Sequence, residues 1–171
     1  IAAFSVWLLV PYHLARVTGY TLAESGAILA SGAAGAVLAA PIGGRLIGRH
    51  ISAERLAIAG GAGVGAGLFL LSAWTEHTAT ALRVAGLVVQ GIGLGPFQLA
   101  YTDIVTAALP AADRGVAGSL ALLTRTLGTV AAASLVLIVF EGLQLKHGFF
   151  GAFHQTFQLA AVLAFVCAAL L

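Results

Sequence analysis

Few residues of this 171-residue chain can do chemistry, and Arg125 stands first among them. It is set in an apolar run that begins near Gly115, and a guanidinium keeps its charge at any pH a cell reaches. Such a group must meet water, backbone carbonyls, a carboxylate or an anionic ligand. Asp103 is a second candidate, able to carry a proton or to pair with Arg114 or Arg49 at the nearby end of its segment. On the same apolar stretch Gln90, Phe97, Gln98, Tyr101 and Thr102 bring amide, aromatic and hydroxyl groups. Near the chain start Tyr12 and His13 add a phenol and an imidazole, the side-chain type that changes charge near neutral pH. These groups are suited to hydrogen bonding, charge pairing and proton carriage.

Bond-breaking chemistry finds no support. An intramembrane serine protease needs a Gly-x-Ser-Gly nucleophile site, and Ser25-Gly26 has Ala23 where the first glycine belongs. The glycine-rich stretches Gly61 to Gly67 and Gly91 to Gly95 lack the Lys-Ser or Lys-Thr that completes a phosphate loop. Cys167, the one cysteine, can form neither a disulfide framework nor a metal cluster by itself and reads as a small buried hydrophobe. No metal, no cofactor and no enzymatic activity are expected.

The elements that must position these residues follow from composition. Sixty per cent of the residues are apolar and only 8% are charged, about a third of the usual share in a soluble domain. Such a chain lacks the charge to cover a water-facing surface, so its solvent is lipid. The seven Arg and one Lys are spread between apolar runs rather than gathered in a stripe, which argues against nucleic acid. A spanning helix takes about 20 apolar residues. Six such segments are expected: 1–15, 22–47, 56–74, 81–108, 116–140 and 149–171. The fold class is therefore an all-α polytopic bundle of six transmembrane helices forming one domain over residues 1–171. Arg125 falls about 15 Å into the fifth segment, near mid-membrane.

The short connections make neighbouring segments antiparallel. Arg45, Arg49, Arg55 and Arg114 sit at the second and fourth connections, against Arg16, Lys146 and Arg83 at the others, so the positive-inside rule puts both chain ends in the cytoplasm. Tyr12 and His13 then lie near the outer end, where an aromatic belt with a wetted imidazole is one reading. His154, Gln155 and Gln158 are interfacial. Glu24, Glu76 and Glu141 flank the outer ends as solvated acids, with Glu24 the one placed to tip inward. Gly60, Gly61, Gly63, Gly65, Gly67, Gly91, Gly93 and Gly95 suit close helix packing. Pro11, Pro41 and Pro96 fall inside apolar segments; Pro96, Gly95 and Pro41 are the hinge candidates.

The stretch Gly43-Gly44-Arg45-Leu46-Ile47-Gly48-Arg49-His50-Ile51-Ser52-Ala53-Glu54-Arg55 resembles the loop signature of the major facilitator superfamily. Gly44, Leu46, Arg49 and Arg55 match it; Gly48 stands at the acidic position and Ile51 replaces the second glycine. Gly44, Arg45, Arg49 and Arg55 are thus candidates for a cytoplasmic gate loop. Gly91-Ile92-Gly93-Leu94-Gly95-Pro96, Leu109-Pro110, Arg114-Gly115-Val116-Ala117-Gly118-Ser119 and Thr124-Arg125-Thr126-Leu127-Gly128 are similar to the last helices of fourteen-helix drug-proton antiporters of that superfamily. So are Leu8-Leu9-Val10-Pro11-Tyr12, Gly19-Tyr20-Thr21 and Gly26.

The resemblance implies the C-terminal six-helix half of a proton-coupled exporter in a bacterial inner membrane. Its partners would be lipid, protons, a small drug-like substrate of amphipathic or cationic character, and a missing N-terminal half of the same chain. The chain begins at Ile1 and has no Met, which fits a piece of a longer protein. A non-transporting six-helix scaffold or sensor is the alternative.

Overall fold

A computed structural model describes residues 3–16, 19–47, 51–108, 110 and 114–171, the side chains of 114 and 117 excepted. Among these there is no strand, only a bridge between Ile47 and Ile51. Five helices follow in order: α1 (Phe4–Arg16), α2 (Leu22–Leu46), α3 (Ala53–Ser72), α4 (Thr80–Ala107) and α5 (Arg114–Ala169). Four stretches are long and apolar enough to cross a membrane: Leu22–Leu46, Ala53–Ser72, Thr80–Ala107 and Gly118–Ala169. At 13 residues α1 is about 20 Å long, short of a hydrocarbon core of about 30 Å.

The expected connection from Glu141 to Gly148 is a correction: α5 stays helical through His147. Glu, Leu, Gln and Lys all favour helix, and one interior glycine costs only about 1 kcal/mol. The break comes at Gly148, whose φ of 71° and ψ of −179° only glycine adopts readily. It divides α5 into arms 114–147 and 149–169. The arms fold back on each other, for Phe140 meets Phe149 edge to face at 5.5 Å and Leu135, Val136 and Val139 share a pocket with Thr156, Ala160 and Leu163.

Local signals fix the helix starts. Thr21 and Glu24 form a capping box: Glu24 N–H donates to Thr21 Oγ1 at 3.2 Å, and Thr21 N–H donates to Glu24 Oε2 at 2.7 Å. Glu24 therefore serves its own helix end and does not tip inward. Ser52 caps α3 by accepting from Arg55 N–H at 3.4 Å.

α4 is the central helix, clasped between α2 and α3. Gly91 and Gly95 face α2, where a Cβ would strike the carbonyl oxygens of Gly32 and Ala36. Gly93 faces α3, where a Cβ would fall on Val64 N, and Gly60 answers it from α3 with Gly93 O and Phe97 N 2.8 Å from its own missing Cβ. Lipid supplies no hydrophobic force between helices, so such backbone approach is what holds them. The main core lies behind, where Leu9, Val10 and Leu14 of α1 meet Leu68 and Leu71 of α3 and Phe153 and Phe157 of the second α5 arm. The outside is apolar, with Val37, Leu38, Ile42, Leu127 and Ile138 all more than half exposed. Cys167, expected to be buried, is exposed beside Phe165 and Val166. In lipid an apolar outward face costs a thiol nothing.

Candidate functional site

Two neighbouring clefts open along α4. The larger, of about 570 Å³, is walled by Ala3, Phe4 and Trp7 of the α1 end, Leu94, Phe97, Gln98 and Tyr101 of α4, and Thr124, Arg125, Gly128 and Thr129 of α5. The smaller, of about 370 Å³, adds Leu29, Gly32, Ala33 and Ala36 of α2 and Leu87 and Gln90 of α4, and shares Trp7, Leu94, Gln98 and Arg125 with the first. Four helices thus contribute. Helical spacing explains the selection: Gln90, Leu94, Gln98 and Tyr101 recur at four, four and three residues, one stripe of α4. Gly93 and Phe97 lean toward α3 and Gly91 and Gly95 toward α2, which leaves Leu94, Gln98 and Tyr101 to face the cleft; Gln90 is buried against Gly67 of α3 and borders the smaller cleft.

Of the sequence candidates, Arg125, Tyr101, Gln98 and Gln90 come together here, with Phe97. The remainder lie elsewhere. Asp103 is exposed outside both clefts, and Thr102 turns its hydroxyl back to Gln98 O at 2.9 Å. Tyr12 is 59% exposed and away from the clefts. Gly44 and Arg45 end α2 and Arg55 begins α3, all exposed, while Arg49 lies outside the described residues. Pro11, Pro41 and Pro96 sit within continuous helices.

His13 is a correction. It is fully buried rather than wetted, ringed by Trp74, Phe149, Phe150 and Phe153, and neither ring nitrogen has a hydrogen-bond partner. Four aromatic rings from the α3–α4 connection and the second α5 arm converge on it, a meeting no local pattern announces. Arg83, expected at a loop edge, is 1% exposed. Its Nη2 donates to Thr75 O at 2.9 Å and Glu76 O at 3.1 Å, and its guanidinium lies 5.2 Å over the Tyr20 ring. Nearby Tyr20 and Thr80 hydroxyls are 2.6 Å apart, and His154 Nδ1 is 2.7 Å from Ser72 O. The α1–α2 connection, the end of α3 and the starts of α4 and of the second α5 arm are thereby tied at one end of the bundle, as antiparallel neighbours require.

Trp7, Thr124 and Thr129 are cleft residues that sequence reasoning passed over. The signal was present: Thr129 stands four residues after Arg125 on its helix face, and Phe4 and Trp7 are three apart on α1.

Electrostatically the site is simple. Arg125 is the one charged residue in either lining, and no acid is among them. Among the described residues its side chain has no ion pair or hydrogen bond. Arg125 is exposed, about a third of the way along its arm of α5. An uncompensated arginine within lipid costs at least about 2.5 kcal/mol, so water, a ligand or an acid from outside these helices must answer it.

An all-helical bundle with four stretches long and apolar enough to cross a membrane, and with an open, largely apolar cleft that carries a single cation, defines an integral membrane protein. The chain belongs to the Major Facilitator Superfamily, whose family model matches residues 1–171. It is similar to the multidrug resistance protein Stp of Mycobacterium tuberculosis strains CDC 1551 / Oshkosh and ATCC 25618 / H37Rv, 30% identical in each case over 128 residues. That stretch is 75% of this chain and 24% of each relative, so the chain matches about a quarter of the length of these curated relatives.

Proposed function

We propose that this chain is one half of a secondary active transporter that exports small organic molecules by alternating access, coupled to protons. The observation that carries the reading is the cleft itself: α1, α2, α4 and α5 each give side chains to a space at the depth of an unpaired arginine. Binding sites near mid-membrane between helix bundles are how such carriers work. Export of drug-like molecules is supported by the relative named for multidrug resistance, and proton coupling by the antiporter-like motifs. Asp103, two residues from Tyr101 though outside the clefts, is the acid on α4 for that role.

In this reading six spans cross a bacterial inner membrane as one domain, α1 being the first and the two arms of α5 the last two. The connections near Arg45, Arg55 and Arg114 face the cytoplasm, with both ends of the segment. Gly44, Arg45, Arg49 and Arg55 form the cytoplasmic gate, Pro96, Gly95 and Pro41 let the helices flex, and a preceding half of the same chain closes the cleft from the other side.

The test is uptake of a panel of lipophilic fluorescent dyes, cationic, neutral and anionic, into proteoliposomes of the full parent chain under an imposed pH gradient. Gradient-driven uptake that Arg125→Ala abolishes, with folding intact, is the expected result. Failure of the native protein to move any dye moves the reading to a narrow-substrate carrier or to a non-transporting scaffold.

A further inference from the structure

The clefts along α4 carry one charge between them, and it is positive. Both linings include Arg125 and neither includes an acid, while Asp103 is exposed outside them. A cationic ligand seated here would meet like charge with no carboxylate from these helices to offset it. An oxyanion would meet a planar fork of donors that matches its geometry. Gln98 and Tyr101 on the facing stripe of α4 and the indole of Trp7 add neutral donors to the same space. The two threonine hydroxyls beside Arg125 are already used within their helix, Thr129 donating to Arg125 O at 2.9 Å and Thr124 to Leu120 O at 2.8 Å. The remaining wall is apolar and aromatic, with Leu94 and Phe97 opposite.

We propose that this cleft selects amphipathic organic acids, with Arg125 holding a carboxylate and the apolar body lying against Trp7, Leu94 and Phe97. The assignment rests on the transport reading for the movement of such molecules and on the cleft alone for their binding. It keeps the amphipathic character that the resemblance implies and departs from its cationic alternative.

The experiment uses the full parent chain in detergent and three matched fluorophores: dansylglycine, its uncharged amide, and a dansyl quaternary ammonium of similar size. Dansylglycine is expected to bind the native protein about 10- to 100-fold more tightly than the amide, the worth of a charge-assisted hydrogen-bonded pair. Arg125→Gln should erase that preference, and Arg125→Lys should keep part of it, since a point charge remains without the fork.

Equal binding of all three by the native protein overturns the proposal even if neither variant folds. So does a preference for the ammonium compound; an acidic side chain elsewhere in the protein would then be the partner of Arg125. Uptake under a pH gradient separates the two readings. Arg125-dependent binding of dansylglycine with no uptake of any probe leaves the acid site standing and removes the transport role. Uptake that ignores probe charge and Arg125 does the reverse.

Discussion

The imidazole of His13 lies 4.5 Å from the ring of Phe153, centroid to centroid, with Trp74 at 5.5 Å and Phe150 edge-on at 5.6 Å. Both nitrogens are buried without a hydrogen-bond partner among the described residues, and such an unmade bond costs about 1–3 kcal/mol. His13→Leu fills similar space without that cost. Thermal unfolding of the full chain in detergent is expected to show equal or higher stability for this variant, and His13→Asp should fail to fold. A clear loss with leucine would mean that the nitrogens have partners in the membrane.

α4 reads as a packing element at Gly93, where a Cβ would collide with α3 backbone. Gly93→Ala should cost about 1–3 kcal/mol, because two helices must separate to admit it. Gly118 has nothing within 4 Å of its missing Cβ, so Gly118→Ala should be neutral or gain up to about 1 kcal/mol of helix propensity. Comparing the melting of the two variants checks both, and equal effects would refute this view of α4.

Arg83 holds the α3–α4 connection through Thr75 O and Glu76 O. Those two residues are exposed, and water can replace part of what is lost. Arg83→Met is expected to lower stability by about 1–2 kcal/mol and to act locally. Hydrogen exchange should quicken over residues 73–79 and stay unchanged at the opposite end, around Ile51 and Ser52. Uniform quickening would assign Arg83 to global stability instead.

Much of this protein was legible in its residues. Runs of apolar residues bounded by charges placed α2, α3 and α4 to within a few residues, because the length a membrane demands is set by the bilayer. The glycines of α3 and α4 announced close packing, and Arg125 stood out as a fixed charge in an apolar run that something must answer. The stripe of Gln90, Gln98 and Tyr101 could be named but not oriented, for helical spacing gives relative and not absolute facing. The extension of α5 to His147 was missed because weakly polar residues mark a loop only on average, while the backbone breaks where a glycine takes a positive φ.

Solvent, helical class and most of the spans were determined by the chain alone, because they depend on local composition and length. Which residues meet was decided only by tertiary structure. His13 and Arg83 looked like surface groups and are buried, and Cys167 looked buried and is exposed. In lipid an apolar exterior and an apolar interior have the same composition, so burial there follows from packing and not from residue type.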